Sequence, residues 1–109
     1  MYEKSRTLMD CHVAGFAHYD GIDVIEALKI GTTVTLEAEP DNPYDPDAVC
    51  ILYDGIKLGY VPRAKNGFIS KLLGFGYGNI LEAKIVSRDL EEHPERQFRV
   101  VIRLKRLPE

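Results

Sequence analysis

Apolar and polar residues alternate most cleanly between Thr32 and Glu39, with Val34, Leu36 and Ala38 on one face and Thr33, Thr35, Glu37 and Glu39 on the other. A period of two built on β-favouring residues predicts a half-buried strand. Ala48 to Tyr53 is an unbroken apolar run of six, the pattern of a strand covered on both faces. Asp54-Gly55 follows, and Ile56 to Val61 resumes the strand pattern until Pro62 ends it. A two-residue Asp-Gly link between apolar runs predicts a hairpin, because both turn positions need positive φ. Asn79 to Val86 and Gln97 to Leu104 predict a closing hairpin with a charged tip from Asp89 to Arg96. In its last strand Phe98, Val100, Ile102 and Leu104 are expected to face inward. Gln97, Arg99, Arg103 and Lys105 are expected to form an outer row that serves solubility.

The remaining segments carry weaker patterns. Met9 to His18 mixes apolar and polar residues over ten positions, which suits a long first strand. Asp20-Gly21-Ile22-Asp23 is expected to turn, and Val24, Ile25 and Leu28 to form one short helical turn closed by Gly31. Ala64, Phe68, Ile69, Leu72 and Leu73 fall on one stripe of a helix that Gly74 stops, although Gly67 inside it costs about 1 kcal/mol. The whole predicts a mostly β chain of five or six strands, with one helix between the fourth and fifth. Short sequential strands with hairpins favour a small closed barrel, OB-like or SH3-like, because closure removes exposed edges.

Composition changes little in this picture. A chain of 109 residues with 45% hydrophobic and 28% charged residues suits a single domain spanning 1–109, its core about 10–105. No apolar stretch approaches the about 18 residues of a transmembrane helix, and the N-terminal pattern is not that of a signal peptide. Cys11 and Cys50 lie in apolar runs and are expected to be buried thiols in a reducing cytoplasm rather than a disulfide. Their spacing makes no zinc site, and no cofactor is implied.

Charge, by contrast, is segregated. The net charge is −3, yet Asp20 to Asp54 holds nine acids and one base, Lys29, whereas Gly55 to Leu81 holds Lys57, Arg63, Lys65 and Lys71 and no acid. A local basic face can therefore coexist with an acidic total.

Catalytic chemistry finds little support. His12 and His18 lie an even number of residues apart on the expected first strand, so they share a face there, and Asp45 could approach either. No nucleophile elbow, phosphate loop or metalloprotease helix accompanies them. The denser constellation is Glu39-Pro40-Asp41-Asn42-Pro43-Tyr44-Asp45-Pro46-Asp47-Ala48. Pro43 and Pro46 hold the residues before them, Asn42 and Asp45, near extended angles, so little entropy remains to be lost on binding. A tyrosine ring can stack on a base and a carboxylate can accept a hydrogen bond from a sugar hydroxyl. The structural alternative is that Asn42 and Asp45 build Asx turns while Tyr44 plugs the barrel end.

Three stretches in order, V-A-G-F-x-x-Y from Val13 to Tyr19, E-P-D-N-P-Y-D-P-D-A-V from Glu39 to Val49, and Y-D-G-x-K-L-G-Y-V-P-R from Tyr53 to Arg63, strongly resemble the HIRAN domain. That resemblance covers about residues 10 to 105. It implies a modified OB-type barrel of the kind found in larger helicases and in short bacterial proteins, binding single-stranded DNA at a free 3′-hydroxyl end. By the same resemblance Asp45 would accept a hydrogen bond from that hydroxyl, Tyr44 would hold the terminal nucleotide, Asn42 would shape the pocket and Arg63 would face phosphate. Tyr19 and Tyr60 come with the flanking motifs. Ala17 and His18 stand where DNA-binding members offer an arginine and an aromatic, so one phosphate contact is lost. His18 can still stack or bond a phosphate when protonated, and Lys57, Lys65 and Lys71 can compensate.

Three functions therefore compete. The leading one is a non-catalytic module for single-stranded DNA ends, serving repair or fork processing beside a helicase or nuclease partner. The second is a protein-interaction module on the same fold that has lost DNA binding. The third is a hydrolase using His18 and Asp45. The oligomeric state is not legible.

Overall fold

A computed structural model describes residues 5–106. Among the described residues, six strands form one curled antiparallel sheet: β1 (Thr7–His12), β2 (Thr33–Ala38), β3 (Val49–Tyr53), β4 (Ile56–Tyr60), β5 (Leu81–Arg88) and β6 (Phe98–Leu104). Their order across the sheet is β1-β6-β5-β2-β3-β4. One α-helix, α1 (Asn66–Gly74), lies between β4 and β5. The expected mostly β, OB-like architecture is therefore present, with its helix where the apolar stripe put it.

Local chemistry explains the strongest elements. Val34 of β2 is buried while Thr33, Thr35 and Glu37 are exposed, as the alternation requires. The β3–β4 link has Asp54 at φ 50° and Gly55 at φ 79°, the doubly left-handed turn that matches the twist of a tight hairpin. Phe98, Val100 and Ile102 of β6 enter the core beside Leu28, Ile51 and Ile69. Leu104, expected inside, is 37% exposed at the strand end. The outer arginines of β6 are not merely solvated. Arg103 pairs with Glu82, its register partner on β5, and Arg99 pairs with Asp10 of β1 at 3.2 Å.

Curling brings the two edges of the sheet together. Just past β1, the Ala14 amide donates to the Tyr60 carbonyl at 2.8 Å and the Tyr60 amide returns a bond to the Ala14 carbonyl at 2.9 Å. Gly59 makes this approach possible. Its φ is +156°, and a Cβ there would sit 2.3 Å from the Ala14 carbonyl oxygen.

Several expectations need correction. The first strand stops at His12, and Gly15, at φ 75°, leads into a 3₁₀ turn over Phe16–His18. His12 and His18 thus share no strand face. Asp20–Ala27 is a longer 3₁₀ stretch, kinked at Val24, than a turn followed by a single helical turn. Phe68, assigned to the apolar stripe of α1, is 56% exposed, whereas Asn66 joins Ile69 on the buried side. Cys11 and Cys50 are free and buried, and burial pushes both thiols up to about 11.

Candidate nucleic-acid interface

The loop between β2 and β3 is built from its own side chains. The Asn42 side-chain oxygen accepts from the backbone amides of Tyr44 at 2.9 Å and Asp45 at 3.1 Å, while its Nδ2 donates to Glu39 Oε1 at 3.0 Å. Asp45 Oδ1 accepts from the Asp47 amide at 2.9 Å. The expected Asx turns are present, but Tyr44 plugs nothing: it is 85% exposed. A short polar side chain that bonds its own backbone gives a loop a fixed shape without a core.

That shape holds Asp45 beside two groups from the far side of β4. Asn66, buried at the head of α1, donates through Nδ2 to Asp45 Oδ2 at 2.8 Å. Arg63, in the 3₁₀ turn Arg63–Lys65, approaches the same oxygen through Nε at 3.5 Å and donates through Nη2 to the Tyr44 carbonyl. The Asp47 amide, the Asn66 amide group and the Arg63 guanidinium hold the Asp45 carboxyl below its ordinary value, so it stays ionised at neutral pH. Its side chain keeps 18% of its surface open to solvent.

A second network stands behind the first. Tyr60 donates its hydroxyl to Glu39 Oε1 at 2.6 Å, and Lys57 Nζ donates to the Tyr60 oxygen at 2.9 Å and pairs with Glu39 Oε2 at 3.1 Å. Burial raises the Glu39 carboxyl, but the hydrogen bonds from Tyr60, Asn42 and Lys57 outweigh it and leave the group lowered. Lys57 is raised, chiefly by its bond to Tyr60. The Tyr60 hydroxyl is raised as well, by burial and then by its bond to Glu39. The Tyr19 and Tyr60 rings meet edge to face at 5.5 Å, with the Lys57 ammonium about 5 Å from both. Lys57 is therefore a strut for the aromatic wall, its charge already matched by Glu39.

Between these networks lies an open cleft of about 270 Å³, walled by Tyr19, Asn42, Tyr44, Asp45, Tyr60, Arg63 and Asn66 over an apolar floor of Ala14, Ala48 and Val61. Pockets for drug-sized ligands begin at about 300 Å³, so this one suits a single small unit.

Six expected residues (Tyr19, Asn42, Tyr44, Asp45, Tyr60 and Arg63) line this cleft together. Four do not. Lys57 stands behind Tyr60, Lys65 donates to the Asp10 carbonyl at 3.1 Å, Lys71 lies exposed on α1, and His18 is exposed on its 3₁₀ turn. No hydrogen bond or ion pair joins His18 to Asp45, whose carboxylate is held by Asp47, Asn66 and Arg63. Asn66 and Glu39 were missed as site residues. Asn66 was detectable as a polar residue on the stripe of Ile69 and Leu73, at a helix start.

A model of the HIRAN domain matches residues 7–105. The chain belongs to the HIRAN family. Two crystal structures share its fold. A protein from Lactobacillus plantarum superposes with a TM-score of 0.70 at 24% identity, over 92% of this chain and 97% of that one. The HIRAN domain of human HLTF superposes with a TM-score of 0.63 at 18% identity, over 87% of this chain and 73% of that one. A Fanconi-associated nuclease 1 homolog from Oryza sativa subsp. japonica is 31% identical over 78 residues, 68% of this HIRAN chain and 8% of that protein's length.

Proposed function

We propose that this HIRAN domain is a DNA-binding module whose cleft takes the 3′-terminal nucleotide of a single strand. The observation that carries this reading is Tyr44, open to solvent, next to a braced and ionised Asp45, with Arg63 joined to both. A carboxylate offers about four acceptor positions. Asp47, Asn66 and Arg63 occupy three of them, which leaves one for an incoming hydroxyl. The exposed Tyr44 ring gives the terminal base a face to stack on. Arg63 keeps guanidinium N–H groups beyond the two it uses, and these face a phosphate. A 3′-phosphate would set negative charge against Asp45 in a partly desolvated cleft, so the same carboxylate that favours a hydroxyl rejects its ester.

The module captures and releases; it performs no bond chemistry. A nuclease among its relatives agrees with a role in presenting strand ends to a separate enzyme in DNA repair. The test is topological. A linear oligonucleotide and its circularised form, identical in sequence, are compared by competition. Capture of an end predicts that the circle competes at least tenfold more weakly; equal competition removes end binding.

A further inference from the structure

Two large aromatic side chains on α1 have no place in the core. Phe68 is 56% exposed and Phe75 is 75% exposed. At 100° per residue, Phe75 falls about 20° from Phe68 around the helix and Lys71 about 60°, with the two rings about 10.5 Å apart along the axis. The Phe75 amide donates to the Lys71 carbonyl at 3.1 Å, so the helical register continues through Phe75. Asn66, Ile69 and Leu73 occupy the opposite side. The outer face of α1 therefore presents an aromatic, a cation and an aromatic in line.

The position of this face matters as much as its content. α1 starts at the cleft, where Asn66 holds Asp45 and Arg63 precedes it by three residues. The segment from Gly55 to Leu81 around it carries four bases and no acid, in a chain whose net charge is −3. Glu39 already matches Lys57 and Asp45 pairs with Arg63, so the positive charge that this face itself offers to a phosphate is that of the exposed Lys71. A second copy of the chain fits it poorly, since a two-fold contact centred on the stripe would bring like-charged Lys71 side chains together.

We propose that the outer face of α1 carries the strand onward from its captured end, with bases stacking on Phe68 and Phe75 and Lys71 meeting the phosphate between them. The inference rests on the end-binding reading, because it takes the cleft as the place where the strand begins. At about 3.4 Å per stacked nucleotide, the distance between the rings spans about three bases, within the reach of about 4–16 nucleotides for one OB-type domain.

Binding as a function of oligonucleotide length tests this, using 5′-labelled oligothymidylates of about three and about nine nucleotides with 3′-hydroxyl ends. Wild-type protein should bind the longer strand more tightly. Phe68→Ala combined with Phe75→Ala should leave the short strand's affinity unchanged and erase the gain from length, a loss of roughly 5- to 150-fold per stacked base. Lys71→Gln should lower the log–log salt slope for the longer strand by about one. An unchanged length gain in the double variant overturns the proposal. So does a double variant that alters self-association and leaves the longer strand's affinity intact, which would assign the face to a second copy. Loss of preference for a 3′-hydroxyl on the short strand marks failure of the end-binding reading instead, and it is scored separately from the length gain.

Discussion

Asn66 and Asp45, 21 residues apart in sequence, are joined by a 2.8 Å hydrogen bond from Nδ2 to Oδ2. A buried amide at the head of α1 thereby fixes one oxygen of a mostly covered carboxylate, while the Asp47 amide fixes the other. The cleft is preorganised by this clamp, and a preorganised acceptor loses little freedom when a donor arrives.

Replacing Asn66 should cost function before it costs the fold. In Asn66→Ala the Asp45 side chain loses its partner from α1 and can rotate toward Arg63. Affinity for a 3′-hydroxyl end is expected to fall on the order of tenfold, the usual scale for a hydrogen bond to a charged group. Fluorescence anisotropy on wild type and variant measures it, and an unchanged affinity would show that Asp45 needs no clamp.

Gly59 makes a structural claim that is independent of binding. A Cβ at that position meets the Ala14 carbonyl at 2.3 Å and Val13 Cγ1 at 2.8 Å, and backbone cannot step aside as a flexible side chain can. Gly59→Ala should therefore break the Ala14–Tyr60 bridge and destabilise the domain by on the order of 3 kcal/mol. At this chain length the melting midpoint should drop by at least about 10 °C. A shift of only a degree or two would mean that the bridge contributes little to closure.

Acid should weaken the fold in a defined way. The carboxyls of Glu39, Asp45 and Glu82 are all lowered in the folded chain, by the partners already described and, for Glu82, first by its bond from Arg103. Below their ordinary values near pH 4, the unfolded chain takes up more protons than the folded one. Stability is therefore full above that range and declines as pH falls toward the lowered folded values. Glu39→Gln removes one such group, so its urea-unfolding free energy should fall less steeply between about pH 5 and pH 3 than that of wild type. Parallel curves would remove Glu39 from the linkage.

Much of the scaffold was legible because its signals are local. The alternation of β2, the apolar run of β3 and the Asp54-Gly55 turn each specify their own geometry, and the six strands follow. The first strand was read too long because Gly15 and Phe16 pass for strand residues until Gly15 adopts a positive φ and the Phe16 ring packs 4.8 Å from that of Phe98. Phe68 satisfied a helical stripe that tertiary packing then rotated away from the core. The site was legible in part for the same reason: Asn42, Tyr44 and Asp45 share one self-bonded loop. Asn66 and Glu39 take their roles from groups 21 residues distant in the chain; the helical stripe can flag Asn66 as a polar residue on a buried face, but no local pattern names its partner. Of the basic segment only Arg63 lines the cleft, and charge counting could not foresee that Glu39 neutralises Lys57 or that Lys65 reaches back to β1.

The most direct measurement of the central claim is the affinity of one single-stranded oligonucleotide ending in either a 3′-hydroxyl or a 3′-phosphate, for wild type and Asp45→Asn. Wild type should prefer the hydroxyl by on the order of tenfold or more, and the variant, which no longer sets a negative charge against the phosphate, should bind both ends alike. Equal affinities for the two ends in the wild-type protein would contradict the account.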